Sequence, residues 1–274
     1  MIRTANDALF TRYQTYAVAT PQNAPHLDRA PFGVTIDHVI NPLLMASGPF
    51  LDRLQRLDVL CFGPHGMPMD KWVFYDCAEL PGFTYGFATP IEALDPLERA
   101  AFGLADDAEG LIPLSVYVTI PMYEDHTWFG HNLSSLNRTF SWRGMHHLAS
   151  ITKAMALKAF KVRHFVGATQ WKSNALHIHT RFGPLRLDTA YTPAHSTAET
   201  LTYSFEVTDD ALRAAMGDDT VELARPKPDF HLDADDVDAM KRLQREIEAG
   251  ARYLLVDRPV HVDGKRMHPI ARCD

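Results

Sequence analysis

Thr127-Trp128-Phe129-Gly130-His131-Asn132-Leu133 reads as a strand that ends in polar residues. It is followed by a loop holding Arg143-Gly144, a helix from Met145 to Lys161 and a second strand from Phe165 to Gln170. In the helix, Leu148, Ile151, Met155 and Ala159 recur on one face, and Lys153 and Lys161 fall elsewhere, the pattern of an amphipathic element lying on a sheet. This strand, loop, helix, strand order sets the frame for the segments on either side.

Toward the N-terminus, Leu114 to Ile120 is a further strand, separated from Thr127 by the polar turn Tyr123-Glu124-Asp125-His126. Before it, residues 71–79 and Phe83 to Ala88 are two β-rich runs around Leu80-Pro81-Gly82, a hairpin signal. Asp95 to Gly103 reads as a short helix, because Asp95 can cap it and Pro96 suits a first helical position. Leu43 to Leu60 carries apolar residues near helical spacing, and Pro31 to Ile40 alternates as a strand does. The first thirty residues, with Pro21 and Pro25 and with Pro31 just beyond, read as an arm with a short helix around Leu9 to Val18.

Toward the C-terminus, Leu185 to Thr192 and Thr200 to Val207 read as strands. After the break at Pro226-Lys227-Pro228, Val237, Met240, Leu243 and Ile247 mark a helix over Asp236 to Leu254. The expected organisation is an arm (1–30), a core (31–207) and a helical extension packed on that core (208–274). The expected class is α+β, a mixed and mostly antiparallel sheet with helices packed on it.

Composition limits the function. With 274 residues, 46% of them hydrophobic and 22% charged, the chain can bury a large interior. Its 27 Lys and Arg against 34 Asp and Glu give a formal charge of -7 with no basic stripe, so no nucleic-acid partner is expected. Cys61, Cys77 and Cys273 follow no CxxC spacing, which argues against a disulfide framework or structural zinc. With no long apolar run and no secretory pattern at the start, a cytoplasmic chain without membrane association is the expectation. Gly-x-Ser-x-Gly, Walker and dinucleotide glycine patterns are absent.

The order from Thr127 through Arg143-Gly144 to Gln170, with Arg181-Phe182-Gly183 beyond it, resembles the central part of the GNAT acyltransferase fold over roughly Phe32 to Thr192. The resemblance implies a coenzyme A thioester as co-substrate, or an acyl-carrier protein as donor, a small-molecule amine or hydroxyl acceptor, and no metal. It places the donor along Leu133, Ser134, Ser135, Arg143, Gly144, Met145, His146 and His147, since amides at a helix start can hold phosphate. The family's later glycines fall on His146 and Leu148. Aligned on Gly183, His179 stands where the family carries a tyrosine acid, so it is the candidate to protonate a leaving thiolate. His131 and Glu124 are candidate bases, with Glu79 beside them.

Other readings of the same residues stand alongside. Leu176, Ile178, Thr180 and Phe182 also alternate as on a strand, which would put His177 and His179 on one face as a metal-ligand pair, with Glu124, Asp125, His131 or His195 completing a set. A hot-dog-like sheet wrapped on the helix Met145 to Lys161 would suit a thioesterase, dehydratase or decarboxylase acting on acyl thioesters. A ligand-binding protein without catalysis is the third. Cys77 reads as an acyl-accepting thiol or a buried strand residue.

Overall fold

The structure, a computed structural model, describes residues 3–65, 68–70, 72, 73, 76, 83–195 and 197–273. Cys77, Glu79 and most of the first run of the expected hairpin lie outside the described residues. The chain divides into two compact units, Met1–Val162 and Arg163–Asp274.

In the first unit, α1 (Leu9–Arg12) leads into β1 (Gln14–Val18), followed by β2 (His38–Ile40), α2 (Gly48–Phe62), β3 (Phe83–Pro90), α3 (Pro96–Phe102), β4 (Leu111–Pro113), β5 (Ser115–Pro121), β6 (Thr127–Ser135) and α4 (Leu148–Ala159). The strands pair in the order β2-β1-β3-β5-β6, with β4 against β3. The β1–β2 pair is parallel and the other pairs are antiparallel.

Part of the expected arm is therefore sheet. Tyr16, Ala17 and Val18 have no exposed surface, and β1 lies between two other strands. Gln-Thr-Tyr-Ala-Val is β-prone, and the prolines nearby end the strand instead of excluding it. Only His38–Ile40 of the expected Pro31–Ile40 strand is extended in a ladder, because Pro31–Gly33 forms a turn of 3-10 helix.

Register places α2 and α4 on opposite faces of this sheet. Ser134 on β6 donates to Asp58 of α2, whereas Ser115, paired with Ser135 one residue further along, bonds Thr152 of α4 at 2.7 Å. Neighbouring strand residues point to opposite sides, so the sheet carries a helix on each face. A hot-dog sheet wrapped around one helix is not the architecture of this unit. The apolar face of α2 is set by Phe50, Leu54 and Leu57, and burying Leu54 and Leu57 completely is worth about 2–3 kcal/mol each. Every residue of α4 except Lys158 is buried, so it is not the half-exposed helix its pattern suggests. Lys153 itself has no exposed surface; its Nζ sits 5.7 Å over the Tyr117 ring, and desolvation holds its pKa well below the ordinary lysine range.

The second unit runs β7 (His164–Gln170), α5 (Leu176–His179), β8 (Leu185–Thr189), β9 (Thr200–Glu206), α6 (Asp209–Met216), β10 (Phe230–Asp233), α7 (Val237–Glu248), β11 (Arg252–Leu255), β12 (Val260–Val262) and β13 (Lys265–Cys273). Its strands are all antiparallel in the order β7-β9-β8-β11-β13-β10, with β12 on β13. The stretch expected as a helical extension is thus as much strand as helix. The helix expected over Asp236 to Leu254 ends at Glu248, where Gly250 takes φ 98 and the chain turns into β11. The two units together are α+β, with a mixed and mostly antiparallel complement of strands.

Candidate active site

Among the described strand pairings of the first unit, a register shift lies between β5 and β6. Val118 pairs with Asn132 and Thr119 with Gly130, so two steps on β6 oppose one on β5 and His131 is the extra residue of a β-bulge. A bulge takes one residue out of the ladder and re-aims its side chain, which is why bulges gather at active sites. The His131 residue is exposed. Its pKa is lowered, chiefly by desolvation, while the nearby Asp58 charge pulls it up.

Asp58 has no exposed surface, and three donors meet its carboxylate: Asn132 Nδ2 and Ser134 Oγ (3.1 Å) at Oδ1, and the Met69 amide (2.5 Å) at Oδ2. Burial raises its pKa and these donors lower it, with burial the larger effect. Since every partner donates, the arrangement is satisfied by the ionised, acceptor-only form. Cys61, one turn further along α2, donates to the Ser135 carbonyl at 3.6 Å, and burial pushes its thiol up to about 11, so it is a poor nucleophile.

Asp58 escaped the sequence reading, although its position carried a signal. It follows Leu57 on the stripe Phe50, Leu54, Leu57 and Cys61, where a charged residue is out of place unless something inside pairs with it.

Glu124 sits elsewhere, in the exposed turn beyond the last β5–β6 pair, Pro121 with Trp128, and its carbonyl accepts from the Thr127 amide at 3.0 Å. The turn does not bring it to the bulge.

The donor-loop residues divide. Ser134 is bound to Asp58, Ser135 Oγ donates to Asn137 at 2.6 Å, and Met145 is buried. Arg143 donates from Nε and Nη2 to both oxygens of the fully buried Glu98, and from Nη2 to the Ala93 carbonyl at 2.7 Å, so its guanidinium is committed to the fold. Gly144 (φ 66) and His147 (φ 63) both take left-handed backbone at the start of α4, and Asn6 Nδ2 ties the loop down through the Gly144 and His146 carbonyls, each at 2.9 Å. The Arg12 guanidinium lies beside Gly144, with Nη1 3.6 Å from where a Cβ would stand. Arg12 was another unread residue, since nothing in its local pattern ties it to a loop far along the chain.

In the second unit, residues 176–179 are helical, which decides between the two readings of that run. His177 and His179 therefore point in different directions. The exposed His177 engages the Asn174 carbonyl through Nδ1, while His179 is buried with its ring 5.2 Å from that of Tyr203. Among the described residues no three His, Cys, Asp or Glu side chains gather as a metal set, and no helix is long and apolar enough to cross a membrane.

No family model matches the sequence, and no curated protein matches it. Solved structures of low identity are similar to it. The chain is similar to a chain in the crystal structure of the NatC complex bound to Gag peptide and CoA, at 13% identity and TM-score 0.41 over 61% of this chain and 97% of that one. It is similar to BjaI, a CoA-dependent acyl-homoserine lactone synthase solved with SAM and isopentyl-CoA, at 10% identity and TM-score 0.41 over 79% and 96%. It is also similar to a Bacillus subtilis acetyltransferase solved with CoA, at 12% identity and TM-score 0.36 over 57% and 93%.

Proposed function

We propose that the chain is an acyltransferase that moves an acyl group from a coenzyme A or carrier-protein thioester to a small amine or hydroxyl acceptor. The observation that carries the reading is the bulge at His131 beside a buried, hydrogen-bonded Asp58, on the strand that the sequence resemblance assigns to the donor. The backbone of the extra residue stands outside the β5–β6 ladder and offers an amide to the thioester carbonyl.

In this scheme the acceptor nitrogen or oxygen attacks the carbonyl carbon and its proton passes to His131. The carbon–sulfur bond breaks, and the thiolate takes a proton from water. A coenzyme A donor would supply the activated acyl group and a pyrophosphate. The loop residues suited to that anion are Gly144, His146 and His147, with Arg12 alongside; Arg143 and Met145 are taken up by the fold.

Titration calorimetry with acetyl-coenzyme A and longer acyl-coenzyme A species tests the first step. The reading expects saturable binding that Arg12→Ala weakens. Absence of binding by every acyl-coenzyme A would leave only the carrier-protein donor.

A further inference from the structure

Asp58 joins α2 to the strand that bears His131, at two positions on one face of that strand just past the bulge. Asn132, the residue directly after His131, and Ser134, two further on, both donate to Oδ1, and the Met69 amide occupies Oδ2. A bulge is the least restrained point of a ladder, because its extra residue has no opposite number. Here a buried carboxylate holds the strand just past the bulge, in addition to the β5 pairing there. The same carboxylate is the charge that acts on the His131 ring.

We propose that Asp58 is the positioning residue of this site: it pins the β6 bulge through Asn132 and Ser134 and so fixes the place of His131. The inference rests on the acyl-transfer reading only for the use made of His131; the positioning itself is a property of the folded chain. The other titratable groups on the elements around β6 are Asp52, Arg53, Arg56 and Cys61 on α2, Tyr117 on β5, and Lys153 and Lys158 on α4, and Glu124, Asp125 and His126 are exposed in the β5–β6 turn. Tyr117 is paired with Leu133 and Lys153 lies over the Tyr117 ring, on the face away from Asn132 and Ser134. Asp58 is the carboxylate that holds the strand just past the bulge.

The test follows the His131 ring by nitrogen-15 nuclear magnetic resonance across a pH titration of the full chain, beside the pH profile of acceptor-dependent thiol release. Asp58→Asn is expected to lower the His131 midpoint by about one pH unit and to move the acidic limb of the rate profile with it. It should also speed amide exchange at residues 130–133 about tenfold. Asn132→Ala, which removes one donor and keeps the carboxylate, should raise exchange at the bulge while leaving β3 unchanged. It serves as the second variant if Asp58→Asn does not fold.

An unmoved His131 midpoint in folded Asp58→Asn, or unchanged bulge exchange in Asn132→Ala, overturns the proposal. A shifted midpoint in a chain that transfers no acyl group would keep the positioning role and defeat the acyl-transfer reading. Full transfer with an unmoved midpoint would do the reverse.

Discussion

His268 donates its Nε2–H to the Trp171 carbonyl across 2.9 Å, from a ring with no exposed surface that also meets the Trp171 ring edge-on at 5.1 Å. Arg266, two residues earlier on β13, reaches the Lys172 carbonyl and, at 2.6 Å, Asn174 Oδ1. Together they hold the loop ahead of α5, the helix that carries His179. Burial is the main cause that lowers the His268 pKa to about 4, so the ring is neutral in the fold. A base whose folded pKa lies below its unfolded value binds fewer protons when folded. Its contribution is complete above the unfolded pKa near 6.5 and is lost as pH falls toward 4. Chemical denaturation should show stability falling by roughly 3 kcal/mol between those limits, and His268→Phe should remove most of that slope. A pH-independent stability over that window would contradict the placement of His268.

The Arg143–Glu98 pair should prove structural. Glu98 is fully buried, also caps α3 with Asp95, and receives two guanidinium donors. Removing Arg143 leaves the buried Glu98 carboxylate without its cation, so Arg143→Ala is expected to cost about 3–5 kcal/mol in urea unfolding. A loss below about 1 kcal/mol would mean that Arg143 is not held there and is available to a donor.

Arg12 is expected to act the other way, on binding and not on folding. Its guanidinium lies beside Gly144 at an exposed position. Arg12→Ala should leave the melting temperature within a degree or two and weaken acetyl-coenzyme A binding roughly tenfold, or about 1.4 kcal/mol, by calorimetry. Equal affinity in the variant would remove Arg12 from the donor site.

Gly86 marks the tightest point of the first sheet. A Cβ there would stand 1.9 Å from the Ser115 carbonyl and 2.7 Å from the Tyr16 hydroxyl, which itself donates to that carbonyl at 2.8 Å. Gly86→Ala should therefore cost ~3 kcal/mol or more, or prevent folding, because backbone and a buried ring would both have to move. A well-folded variant of normal stability would show that β3 and β5 can part.

What could be read in the sequence was local. The strand around Trp128, the helix after Met145, and the cap formed by Asp95 and Pro96 are carried by periodicity and by side chains within a few residues, and each formed. Glu98 completes that cap at close range, yet its pairing with Arg143 spans the fold and left no trace in spacing. Asp58 with Asn132, and Arg12 with Gly144, are likewise contacts between distant segments that only folding brings together. Leu176 to Phe182 satisfied both periods, and the packing of His179 on Tyr203 accompanies the helical outcome. Gln14 to Val18 was obscured by the prolines after it, which end a strand without forbidding it.

The most direct test of acyl transfer is the release of free coenzyme A thiol from acyl-coenzyme A, measured with and without a panel of small primary amines and alcohols. Release is expected to depend on an acceptor and to fall at least a hundredfold in His131→Ala while that variant stays folded and still binds donor. Release that proceeds equally without any acceptor, or that survives intact in His131→Ala, would contradict it.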